Sequence, residues 1–170
     1  MNYKYKKAVK YFQEGDLKAA LVTAQRSLPA SKGSERIKFL NLIGITYHQL
    51  GLYNQAVGSF QKSLEEDEDN FRTWENLGII YRRMNNFEYA EHCFLKALEL
   101  NPASDEVLTS LGVVYLFQDE VTKAIRCFEK SLEINSGQER VRMKMITVLR
   151  KVNPRRASLE IEKLRNLIKY

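Results

Sequence analysis

Apolar residues along this chain recur at steps of three and four, the period of a helix with one buried face, and not at steps of two. Ten such stretches follow one another, at 3–14, 16–28, 35–50, 53–66, 70–84, 87–99, 104–117, 120–133, 138–151 and 155–168. Short polar breaks separate them, so each stretch is expected to turn back on the one before. With 8 Gly and 3 Pro in 170 residues, breakers are too few for a sheet of many hairpins, and an all-α fold is expected.

The helices are themselves periodic. Gly44, Gly78 and Gly112 stand 34 residues apart. Tyr47, Tyr81 and Tyr115 follow each glycine by three places, Ala56, Ala90 and Ala124 by twelve, and Phe60, Phe94 and Phe128 by sixteen. Ser63, Ala97 and Ser131, each followed by leucine, complete the unit. A weaker unit precedes these. It has Ala8 in the glycine column and Tyr11, Gly15, Asp16, Ala20, Ser27 and Leu28 in register. Ala24 replaces the phenylalanine, and a two-residue insertion falls within 29–34. A degenerate unit follows, keeping Met145 and Leu149 on its first helix but with Ile146 in the glycine column. Asn153 and Pro154 read as the cap and first residue of its second helix.

A pair of antiparallel helices cannot bury its apolar faces alone, so neighbouring units must stack. The small residues are expected where two helices come closest, and the Phe and Tyr columns between one unit and the next. Arg142, Lys144, Arg155, Arg156, Lys163 and Arg165 make the last unit a polar cap over the exposed end.

Trp74, Leu77, Gly78 and Tyr81, then Ala90, Phe94, Ala97 and Pro102, carry the pattern of the tetratricopeptide repeat. The chain resembles that family over essentially its whole length, tightly over 37–134. The resemblance implies an all-α, right-handed α-α superhelix of four to five antiparallel hairpins. A single solenoid would span 1–170, with units at about 1–34, 37–70, 71–104 and 105–138 and a capping hairpin at 139–170.

In that family the first helix of each unit lines a concave ligand groove. Carried over by position, the groove would take Asn2, Tyr5, Val9, Phe12 and Gln13 from the first unit. Lys38, Asn41, Ile45, His48 and Gln49 follow, then Arg72, Glu75, Ile79, Arg82 and Arg83. Glu106, Thr109, Val113, Leu116 and Phe117 come next, and Arg140, Met143, Thr147, Arg150 and Lys151 last. The arginines and lysines there favour an acidic or amphipathic peptide or helix by charge complementarity. Val113, Leu116 and Phe117 read as an apolar anchor. A subset of the family clamps the carboxylate tail of heat-shock chaperones with Lys, Asn and Arg. Neither register here supplies that set: one offers Tyr5, Val9, Leu42, Arg72 and Asn76, the other Asn41, Ile45, Asn76, Glu106 and Ser110.

Net charge is +6 and uneven. Lys4, Lys6, Lys7 and Lys10 charge the first ten residues, and 138–170 carry ten Lys/Arg against three Glu, leaving an acidic middle. The basic C-terminal hairpin, with Arg150, Lys151, Arg155 and Arg156, admits nucleic-acid association as an alternative. The aromatics, however, are committed to core stripes and leave few for base stacking. Self-association through the groove or an end is a further alternative.

Glu65, Glu66, Asp67, Glu68 and Asp69 fall in an expected solvated turn, not a cleft. Cys93 and Cys127 occupy one column of neighbouring repeats, which explains their spacing without metal or redox chemistry. With no phosphate-binding glycine loop and no nucleophile motif, a non-catalytic protein-binding module without cofactor or metal is expected. No apolar run reaches the length of a signal sequence or membrane span, and two isolated cysteines suit a reducing compartment, so the cytoplasm is the expected location.

Overall fold

The computed structural model describes residues 3–168, with side chains as far as Arg165. Asn2 therefore lies outside the described residues. Ten α-helices follow in order: α1 Tyr3–Gln13, α2 Leu17–Ser27, α3 Gly33–Gln49, α4 Tyr53–Glu66, α5 Phe71–Arg83, α6 Phe87–Leu100, α7 Asp105–Phe117, α8 Val121–Ile134, α9 Glu139–Val152 and α10 Pro154–Ile168. The expected boundaries hold to within two residues. The insertion near residue 30 is taken up by a 3-10 turn, Leu28–Ala30, opened by Pro29. The hydroxyl of Ser31 fastens it by donating to the Leu28 carbonyl at 2.7 Å. Among the described residues no helix is long and apolar enough to cross a membrane.

The turn inside each of the first four hairpins has one solution. Its left-handed position is Gly15 (φ 81), Gly51 (φ 74), Asn85 (φ 58) and Asp119 (φ 64). At each, the next residue's N–H returns to the carbonyl of the tyrosine column: Asp16 to Tyr11, Leu52 to Tyr47, Asn86 to Tyr81 and Glu120 to Tyr115, at 2.8–2.9 Å. This closes the last turn of the first helix, and between α1 and α2, α3 and α4, and α7 and α8 it lets the chain turn back on itself. Two of the links between hairpins, those before α5 and α7, use side-chain caps instead. Asn70 accepts from Thr73 N–H and Ser104 from Val107 N–H.

The chain divides into two compact parts, Met1–Asn86 and Phe87–Tyr170. In the first, α1 to α5 each pack on the next, and α3 also meets α1 and α5. A Cβ on Gly44 would sit 2.7 Å from Cε1 and Cζ of Phe60, so the α4 ring rests on the bare backbone of α3. The ring lies within its own hairpin, which corrects the expectation that phenylalanines fill the space between units. Only a glycine leaves a hollow in the facing helix deep enough for it. The tyrosines do reach between hairpins, as Tyr47 of α3 accepts a hydrogen bond from Gln25 of α2 at 2.8 Å.

The first hairpin substitutes both partners at once, with Ala8 for glycine and Ala24 for phenylalanine. Both are fully buried. The missing ring is supplied by Phe39 of α3, which joins Ala8, Ala24, Leu42 and Ile43 in one cluster. Tyr5 meets Phe39 edge-on at 5.4 Å, and Val9 and Phe12 pack on the same cluster. These three residues of α1, expected on the groove, thus serve the core.

In the second part α6 packs on α7, α7 on α8, α8 on α9 and α9 on α10. Gly112 repeats the close approach, its Cβ position 2.7 Å from Cε1 of Phe128. Gln118, at the end of α7, donates to the Glu91 carboxylate of α6 at 3.0 Å, whose charge also bears on the Tyr115 phenol. The last hairpin departs from expectation. Arg142, assigned to an exposed cap, is buried against Glu160 of α10 at 2.5 Å, their side chains 9% and 7% exposed. Lys163 adds a second bond to Glu160 at 2.7 Å, and Arg156 pairs with Glu129 of α8. The physical reason is that Glu160 enters the interior beside Arg142 and would be unpaired there without it. Asn153 does cap α10, accepting from Arg156 N–H at 3.1 Å.

Three measurements follow from this packing. In chemical denaturation, Gly112→Ala is expected to destabilise the protein by about 1–2 kcal/mol through overpacking. In a Phe128→Ala background the same change should stabilise by up to about 1 kcal/mol, the helix preference of Ala over Gly. The same sign in both backgrounds would refute the ring-on-glycine contact.

Asp119→Gly should raise the melting temperature and Asp119→Val lower it, since φ near 64° strains a side chain, a branched one most.

Glu160→Gln should cost about 3–5 kcal/mol by stranding Arg142, and Arg142→Met with Glu160→Met should recover most of it. Burial pulls the Glu160 carboxyl upward, but hydrogen bonds from Lys163 and Arg142 and their charges hold it below its ordinary value. The pair's contribution is therefore full above the ordinary carboxylate range and lost as pH falls through it. Wild-type stability should drop more steeply than that of Glu160→Gln between about pH 5 and 3.

Candidate functional site

The candidate residues lie on α1, α3, α5, α7 and α9. In the first part α3 and α5 lie side by side. The clasp between them is polar. Asn41 and Thr73 exchange hydrogen bonds at 3.0 and 3.1 Å, and the Thr73 hydroxyl lies 3.3 Å from that of Ser63. Asn41, a candidate ligand donor, is thus engaged in holding α3 to α5.

Around this clasp Lys38 and Arg72 are exposed, the Arg72 guanidinium standing 5.2 Å from the ring centre of Phe71. Ile45, Glu75 and Ile79 are half-buried. At the far end of the two helices His48 lies 6.0 Å from the Tyr53 ring, with Arg82 half-buried and Arg83 exposed. Burial first, then the charges of Arg83 and Arg82, hold the His48 imidazole below its ordinary value. Arg82 is lowered likewise, by burial and then by Arg83, and its Nε is buried without a hydrogen-bond partner. The structure thus concentrates positive charge at the ends of α3 and α5 and leaves it poorly solvated.

In the second part Thr109, in the column of Asn41, is engaged within its own hairpin, its hydroxyl 2.9 Å from that of Ser131 of α8. Val113 and Leu116 are half-buried, and Phe117 is 61% exposed. Its ring stacks on Phe87 at 4.8 Å with planes 5° apart. Phe87, which no sequence pattern singles out, makes the anchor a two-ring platform. On α9, Arg140, Met143 and Thr147 come together with Glu139 and Lys144 around an open depression of about 430 Å³, and Arg150 is exposed.

Cys93 and Cys127 are both buried and free. Burial pushes their thiols up to about 12 and about 11, so neither is a ready nucleophile at neutral pH.

Comparison with known proteins agrees with this architecture. Crystal structures of MamA match at 24% identity with a TM-score of 0.84, covering 100% of this chain and 99% of the other. MamA 41-end from Desulfovibrio magneticus RS-1 matches at 20% identity and a TM-score of 0.86, covering 99% and 97%. PilF of Pseudomonas aeruginosa matches at 24% and 0.84, covering 96% of this chain and 72% of its own. These likenesses concern the fold. No curated protein sequence matches the chain significantly. Models of the tetratricopeptide repeat match residues 37–70, 71–104 and 93–126. The first two fall in the register read from the glycines and aromatics; the third overlaps the second and is out of step with it. Together they span more than half of the sequence, and the chain belongs to the tetratricopeptide-repeat family, a family of protein-interaction modules.

Proposed function

We propose that this chain is a non-catalytic adaptor or assembly module that holds an acidic or amphipathic segment of a partner protein on the exposed faces of its first helices. The observation that carries this reading is the concentration of cations on α3 and α5. Lys38, Arg72, Arg82 and Arg83 share that surface with His48, and both terminal arginines lack a carboxylate partner among the described residues. A surface of one sign attracts and orients a partner of the other. The Phe117–Phe87 platform supports the amphipathic part of the reading. A large, exposed, rigid ring pair is a suitable seat for an apolar side chain.

Partners captured from the native host and identified by mass spectrometry supply the ligand for the test. Arg82→Glu with Arg83→Glu should weaken binding of the authentic partner at least about tenfold, ~1.4 kcal/mol, while helicity by circular dichroism is unchanged. Phe117→Ala should weaken it independently. Unaltered affinity in the charge-reversed variant would show the reading to be wrong.

A further inference from the structure

The ends of α3 and α5 carry more than a general positive charge. Asn41 and Thr73 pin the two helices side by side, and about two turns further on both helices stop, α3 after His48 and Gln49, α5 after Arg82 and Arg83. Arg82 and Arg83 are adjacent cations with no carboxylate between them among the described residues. A guanidinium Nε that is buried yet unbonded is a costly arrangement unless something supplies an acceptor. Resting against the negative ends of two helix dipoles gives such cations some stabilisation, but it supplies no acceptor for that Nε.

We infer that His48, Arg82 and Arg83 form one oxyanion site, taking a carboxylate or a tetrahedral oxyanion of the partner, whose hold tightens when His48 takes up a proton. The inference rests on the reading of the α3–α5 face as a ligand surface and specifies its chemistry. Two guanidinium groups offer planar, charge-assisted donors suited to paired oxygens. A protonated imidazole adds a third donor group from the neighbouring helix.

The charges around His48 are few. The charges of Arg82 and Arg83, at the end of α5, act on it, and the Tyr53 ring of α4 lies 6.0 Å away. From α2, Gln25 reaches Tyr47, and from α1, Tyr5 reaches Phe39; neither is charged near neutral pH. On α3 itself, Arg36 is paired with Glu66. With the site empty, the two arginines oppose the imidazolium, and His48 titrates below its ordinary value. An oxyanion seated among the three reverses that opposition and raises the titration. Affinity must then be level where His48 is neutral in both states, and must rise as pH falls through its range, by at most about tenfold per pH unit.

The test uses the whole chain and small probes. The two histidines, His48 and His92, are followed by NMR from pH 8 to 5, with His48→Gln assigning the signals. Sodium chloride is the reference, and sodium sulfate or an acetylated Asp-Glu dipeptide is added at matched ionic strength. The expected result is a His48 midpoint about half a pH unit or more higher with oxyanion than with chloride, an unmoved His92, and at least half of the shift lost in Arg82→Gln. A response to sulfate alone assigns a tetrahedral group such as a phosphorylated side chain, and a response to the dipeptide alone assigns a carboxylate. If neither probe moves His48 more than chloride does, or if Arg82→Gln with Arg83→Gln responds as the wild type does, the site does not exist as described. Should that failure accompany weakened partner binding in the charge-reversed variant, the face would stand and the oxyanion site fall.

Discussion

The contact on which the rest of the molecule depends is a phenylalanine ring set on a stretch of backbone without a side chain. Phe60 on Gly44, and Phe128 on Gly112, fix how closely the two helices of a hairpin approach. Once that distance is set, few choices remain. The chain must reverse within a few residues, which selects the left-handed turn position. The tyrosine three places after the glycine then offers its carbonyl to the turn and its phenol to the hairpin before. A tyrosine of this column thereby joins the inside of a hairpin to its neighbour, as Tyr47 does through Gln25. Because these rings are consumed inside the hairpins, the candidate surface is left largely to polar and charged residues, with Phe117 of α7 an exposed exception.

The last hairpin shows what happens when the repeat is abandoned. Its first helix has no glycine in the column and its second no phenylalanine. The joint between α9 and α10 passes instead to Arg142 and Glu160, assisted by Lys163. An apolar joint tolerates small shifts. A buried ion pair does not, because either partner alone would be left charged in a poor solvent. The terminal hairpin is therefore held by direction and charge where its predecessors are held by shape.

Much of this was legible in the sequence. The helices were, because a strict period places every boundary several times over and Asn70, Ser104 and Asn153 mark the starts. What the period could not say is which neighbour an inward residue meets, and so the phenylalanines were expected one gap too far along. Arg142 was misread by counting it with the charges of a basic end, although it stands in the column of Leu40, Trp74 and Leu108, an interior position. On the candidate surface the residue types were readable and their availability was not. Asn41 and Thr109 are engaged by Thr73 and Ser131, 32 and 22 residues away, and no local pattern announces such partners. Phe87 went unnoticed because its role arises only when α6 and α7 are laid together.

The first hairpin has one property its successors lack. Having Ala24 where the next three have a phenylalanine, it closes its interior with Phe39, a residue of the helix that follows. During synthesis α1 and α2 leave the ribosome before that ring has been made, so their apolar stripes have no lasting cover until α3 emerges. The α1–α2 hairpin is thus translated before the α3–α4 hairpin and yet unable to finish folding before it, and the nascent chain depends on the second of the two to complete the first.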